Sequence, residues 1–106
     1  MVQVPKHYRA GRVKVEAMRF DGSSVEALAV YKWVEKNGSG SFDVNYPTDP
    51  IPMNGVSIDA KSGAMVISTS EGIVPVGIGD YVVKGPDGNF YPLRPKRFHK
   101  MFEEVK

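Results

Sequence analysis

The stretch GDYVVKGPDGNFYPLRPKRFHK, residues 79–100, decides the fold. Its Tyr81, Val82 and Val83 are apolar on both faces of an extended chain, as a strand covered on both sides requires. Gly85-Pro86-Asp87-Gly88 then turns the chain, and NFYPL returns it as a second strand. Immediately afterwards the sequence becomes basic. Pro95 suits a first helical position, so RPKRFHKMFEEVK reads as a helical turn with Phe98, Met101, Phe102 and Val105 on one side. The other reading is an extended MFEEV after a single turn, pairing with the first strand of the domain. Both bury Phe98 and Phe102 and leave Arg94, Lys96, Arg97 and Lys100 outside, so the apolar stretch builds core and the charges mark the surface where the chain leaves it.

Working back toward the amino end, VSIDA alternates, with Val56, Ile58 and Ala60 on one side and Ser57 and Asp59 on the other; KSGA turns the chain into MVIST, making a hairpin. Glu71-Gly72 turns again into IVPVGI. RVKVEAMRF, residues 12–20, places Val13 and Val15 between charged neighbours, the period of a half-buried strand. After Asp21-Gly22, Ser23 stands three residues before Glu26, the spacing of a capping box. Val25, Leu28, Ala29 and Trp33 follow at helical spacing, widened by Val30 and Val34, and Gly38 stops the helix. Trp33 reads as its anchor on a sheet. Between Gly38 and Gly55 the chain is rich in Gly, Ser, Asn and Pro. SFDVNY is at most a short strand there, and Pro47, Pro50 and Pro52 make residues 45–55 a loop.

These elements define one α+β domain spanning residues 1–106, with residues 1–10 as a flexible arm. Its core is a mainly antiparallel twisted sheet of five or six strands, able to curl toward a partly closed small barrel, with one long helix packed on it. The composition, 42% hydrophobic and 25% charged, is that of an ordinary globular chain. No apolar run approaches the roughly 20 residues of a membrane-spanning helix. The start, MVQVPKHYRAGR, lacks the apolar centre of a secretory signal, which places the protein in a cytosol. With no cysteine there are no disulfides, thiolate metal sites or cysteine nucleophiles. The net charge of +2 conceals an asymmetry: +4 over residues 1–20, −5 over 21–80 and +3 over 81–106. Basic ends around an acidic middle suit an anionic partner, or ends that pack beside the middle and pair with it.

Gly79-Asp80-Tyr81-Val82-Val83, followed by Gly85, Gly88, Tyr91, Pro95, Phe98, Phe102 and Glu103, resembles the closing signature of a family of small bacteriophage and prophage proteins. In that family a GD-aromatic strand, a glycine turn and a YP strand precede a proline, a phenylalanine and an aromatic-glutamate ending. VEAMRFDG is similar to the family's first strand and turn. The resemblance covers about the first ten and last thirty residues of the domain proper, and it implies a phage origin and a bacterial host cytoplasm without implying an activity. Its residues read as structural: Gly79 and Gly88 suit turns of positive φ, Asp80 can bond its own turn, and Tyr81, Tyr91, Phe98 and Phe102 are core. Lys96, Arg97, His99 and Lys100 stand where the family carries acidic or apolar residues.

No motif for catalysis emerges. His7 and His99, near opposite ends and flanked by bases, do not make a metal site. Ser57, Ser68 and Ser70 have no nucleophile elbow around them, and GIGDYVVKG enters a strand where a phosphate loop would enter a helix. Asp59 reads as a solvated strand residue and Asp80 as a turn cap. The expectation is therefore a protein without enzymatic activity or cofactor, whose binding residues are Arg9, Arg12, Lys14, Tyr91, Arg94, Lys96, Arg97 and Lys100, joined into one basic patch if the two chain ends are neighbours. Its expected partner is a host or phage protein, with nucleic acid as the alternative and no membrane. A homodimer through an exposed sheet edge is a further expectation.

Overall fold

The computed structural model of the protein describes residues 4–37, 54–59 and 62–105. The 41–46 segment, most of the Pro-rich 45–55 loop and Ala60 fall outside the described residues. In chain order the elements are β1 (Lys6–Ala10), β2 (Val13–Arg19), α1 (Ser24–Asn37), β3 (Val56–Ile58), β4 (Met65–Thr69), β5 (Gly72–Val76), β6 (Tyr81–Lys84), β7 (Phe90–Leu93), α2 (Pro95–Met101) and β8 (Glu103–Glu104). The fold is α+β with antiparallel sheets. One sheet has five strands in the order β7-β6-β2-β1-β8, and the other has three in the order β3-β4-β5. Among the described residues neither sheet closes on itself, so the curl toward a barrel is not realised and the strands number eight across two sheets.

Residues 6–10, expected in an arm, form β1 and pair with β2 from Lys6↔Ala17 to Ala10↔Val13. The carboxyl end combines the two readings left open by the sequence: α2 starts at Pro95, and the chain then extends as β8. Its partner is β1, through Tyr8↔Glu104 and Arg9↔Glu103, in place of the strand at 12–20. The glycine turns follow expectation, since Gly79 and Gly88 have φ of 92° and 85°, values that a side chain disfavours.

Each strand of the five-stranded sheet turns alternate residues to opposite faces. Met18, Val82 and Phe90 face α1 and the smaller sheet, where Val30, Trp33, Val34, Met65 and Ile67 complete a first core. Trp33 meets Phe90 edge to face at 5.1 Å between centroids, which makes it the anchor the sequence suggested. Val15, Ala17 and Val83 face the other way, into a second core closed by Tyr8, Phe98 and Phe102. β2 and β6 thus serve two cores at once, consistent with the two-sided apolarity of Tyr81-Val82-Val83.

The helix stripe differs from its expected position. Ala27, Val30, Trp33 and Val34 are buried, whereas Val25 and Leu28 are half exposed. The buried face is rotated about the helix axis because α1 must cover β3 of the smaller sheet as well as the larger one. Ser57, assigned to the solvent side by alternation, is buried beside Val56 in β3. At the start of α1, Ser23 Oγ accepts the Glu26 amide at 3.2 Å and Asp21 Oδ1 accepts the Ser23 amide at 2.9 Å. The Ser23 amide, and after it the Ser23 hydroxyl, hold Asp21 below its ordinary carboxylate range by hydrogen bonding to its charged form.

Candidate functional site: α2 and the groove beside it

α2 lies on the second core. Phe98 is fully buried, stacked on Tyr81 at 3.9 Å and edge-on to Tyr8 at 4.8 Å. Phe102 follows at 5.3 Å from Phe98. At about 100° per residue, Lys96 and Lys100 fall on the side of α2 away from Phe98, one turn apart, and Arg97 falls on its flank. All three are exposed, and none takes part in an ion pair among the described residues. His99 stands beside Tyr81, with Nε2 3.5 Å from the phenolic oxygen.

The other expected binding residues separate from this helix. Arg94 Nη1 is 2.8 Å from Oδ1 of Asp80, a buried carboxylate whose Oδ2 accepts the Gly77 amide at 2.8 Å. Asp80 therefore caps its own turn as expected, and Arg94 ties that turn to the entry of α2. Arg9 Nε is 2.9 Å from Glu103 Oε1, a pair between exposed side chains that joins β1 to β8. Because Tyr8 and Val15 point into the core beneath α2, their neighbours Arg9 and Lys14 point to the opposite face. Arg12 lies in the turn between β1 and β2. The eight residues thus do not form one patch: Lys96, Arg97 and Lys100 form one group, and Arg9 and Lys14 another across the sheet. β1 and β8 are indeed neighbours, but strand alternation sends their cations away from α2.

On the face of Arg9 and Lys14, a recess of about 460 Å³ is bordered by His7, Lys14, Glu16 and Lys84 and by the Gly85–Gly88 turn. His7, Glu16 and Lys84 stand directly across from one another on β1, β2 and β6. Lys14 and Lys84 are offset there by Glu16 and Asp87, so the recess has little net charge.

Tyr91 and Arg97, both expected in the site, border the same groove. They line a groove of about 660 Å³ between β7 and the β4–β5 hairpin, floored by Val74, Phe90, Pro92 and Leu93. One wall is a chain of amide bonds. Asn54 Oδ1 accepts the Phe90 amide at 3.0 Å, Asn54 Nδ2 donates to Asn89 Oδ1 at 2.8 Å, and Asn89 Nδ2 donates to Asp87 Oδ2 at 2.8 Å. Asn54 holds φ at 62°, a left-handed conformation that asparagine tolerates better than most residues. Burial, with a smaller contribution from Asp87, pushes the Tyr91 hydroxyl above its ordinary value. Sequence reading had no signal for Asn54 or Asn89, since each is an isolated amide in a turn and their partnership spans 35 residues.

Among the described residues no group of three His, Cys, Asp or Glu side chains could hold a metal ion, and no helix is long and apolar enough to cross a membrane. What the arrangement offers chemically is recognition through fixed charges, amides and a partly apolar floor. No family model, curated protein or solved structure matches the chain.

Proposed function

We propose that this chain is a small phage-encoded accessory protein acting in the bacterial host cytoplasm as a non-catalytic protein-binding module, with α2 as its contact surface and an acidic face of a host or phage protein as its partner. The observation that carries this reading is the division of α2: Phe98 and Phe102 are spent on the core, while Lys96, Arg97 and Lys100 stand exposed and outside any ion pair described. The resemblance of residues 79–103 to the phage family supports the setting. A rigidly seated helix also loses little order when it binds, so its charges are placed in advance.

Nucleic acid is the second reading, and the same three cations would serve it. Three phosphate contacts give a log-log salt slope of about −2.7, or about a fortyfold loss of affinity between 50 and 200 mM salt. The test is capture from host lysate with the tagged chain, with and without nuclease, beside the triple variant Lys96→Glu, Arg97→Glu, Lys100→Glu checked for folding by circular dichroism. A protein retained after nuclease and lost on charge reversal is the expected result. Retention that ignores the reversal overturns the role of α2, and retention abolished by nuclease favours the second reading.

A further inference from the structure

We propose that the groove beside β7 receives a short extended segment of the partner bearing a carboxylate at the Arg97 end, an apolar side chain in the middle and a cationic side chain at the Asp87 end. This rests on the protein-binding reading above and adds to it the chemistry of the bound segment.

Three observations carry the inference. First, the groove has an electrical direction. Asp87 precedes β7 in the β6–β7 turn and Arg97 follows β7 in α2, so the two charges flank opposite ends of a four-residue strand. Such a strand spans about 10 Å between its first and last Cα atoms. Glu71 adds a second carboxylate on the hairpin wall; Ser68, three residues before it, accepts the Asn54 amide at 2.8 Å, which brings that wall to the amide chain of Asn89 and Asp87. Secondly, the middle of the groove is apolar, with Val74, Pro92 and Leu93 half-buried and open to an aliphatic side chain. Thirdly, the edge of β7 offers an added strand no free N–H. Positions 90 and 92 direct their backbone the same way; the Phe90 amide is already given to Asn54, and Pro92 has no N–H. A segment lying here is therefore read through its side chains. The amide chain fixes the wall before binding, since every bond from Asp87 to Phe90 is made within the protein.

The experiment is an NMR titration of the full chain, following the side-chain amide signals of Asn54 and Asn89. The probes are three blocked pentapeptides: Asp-Ala-Leu-Ala-Lys, Asp-Ala-Leu-Ala-Asp and Lys-Ala-Leu-Ala-Lys. The dipolar peptide should bind at least about threefold more tightly than either uniformly charged one, the scale of one exposed ion pair. In Arg97→Glu the preference should pass to the peptide with two lysines, and replacing the central leucine by serine should weaken binding in both proteins. The double variant Lys96→Glu, Lys100→Glu, whose substituted residues do not line the groove, should bind the dipolar peptide as the unaltered protein does while losing the partner captured from lysate. Three peptides of equal affinity, no movement of the Asn54 and Asn89 signals at millimolar peptide, or an unchanged preference in Arg97→Glu each overturns the inference. Failure of the groove with α2-dependent capture intact leaves the protein-binding reading standing, and the converse result removes α2 as the contact surface while leaving the groove as the binding site.

Discussion

On one face of the five-stranded sheet, seven elements contribute to a core of mostly aliphatic side chains; on the other, a two-turn helix closes a smaller core through Phe98 and the rings of Tyr8, Tyr81 and Phe102. The first core spreads its burial over many residues, so the loss of any one leaves neighbours to relax into the gap. The second is centred on Phe98, against which Tyr8, Tyr81 and Phe102 all pack. That arrangement also explains the exposed chemistry, because a helix whose one buried side chain is Phe98 has most of its remaining circumference free for cations.

The contrast is most easily broken at Phe98. Phe98→Ala should destabilise the protein by about 3–5 kcal/mol in chemical denaturation. Trp33 reports only on the first core, whereas Tyr8 and Tyr81 belong to the second. In this variant the ring signals of Tyr8 and Tyr81, followed by NMR and so separated from Tyr31 of the first core, should be lost at lower denaturant than Trp33 fluorescence, and a single coincident transition at unaltered stability would show that the second core is not centred on this ring.

A smaller effect is expected where the turn before β6 is tied to α2. Asp80→Ala strands the half-buried Gly77 amide and should cost about 1–3 kcal/mol, while Arg94→Ala, which removes a largely exposed partner, should cost less than about 1 kcal/mol. Equal losses from the two variants would mean that the ion pair, and not the turn bond, carries the stability. On the first face, Ser23→Ala removes the cap of α1 and should cost about 1 kcal/mol without separating the Trp33 transition from that of Tyr8 and Tyr81.

Acid and alkali should divide the faces in opposite directions. Asp21 is lowered in the folded chain, so its contribution is present above its ordinary 3.8 and disappears as pH falls through the lower folded value, loosening the start of α1. Tyr8 is raised, by burial first and then by Tyr81 and Glu104. Its contribution is complete below the ordinary 10.0 and is lost as pH rises through the higher folded value, loosening the second core. Asp21→Asn should flatten the acid limb of a stability profile and Tyr8→Phe the alkaline one. The smallest effect belongs to the surface pair: Arg9→Ala should change stability by about 0–1 kcal/mol and less still at high salt.

What could be read from the sequence was local and periodic. β2 shows itself through alternating Val13 and Val15, α1 through Ser23 and Glu26, the β3–β4–β5 meander through its turns, and β6 through apolarity on both sides. Phe98 and Phe102 were legible as core because both readings of the carboxyl end bury them. β1 was hidden because KHYRA offers only Tyr8 as a large inward residue, so its strand character comes from pairing with β2. Val25 and Leu28 satisfy helical spacing and still face outward, since periodicity identifies a stripe but not which neighbouring surface it must cover. The grouping of Arg9 and Lys14 with α2 failed for the same reason: nearness of the chain ends was inferred correctly, but the face on which a side chain emerges depends on register. The Asn54–Asn89 bond lay beyond any local pattern.

Every open strand margin of the two sheets is poorly suited to templating. β8 is two residues long and β3 three, β5 contains Pro75, and β7 contains Pro92 beside an amide already engaged by Asn54. Among the described residues an incoming chain finds no long row of free donors along which to zip. Concentrated stocks should accordingly remain slow to nucleate fibrils, and replacing Pro92 and Asn54 together by residues with unengaged amides would create the lateral growth site that the native margins withhold.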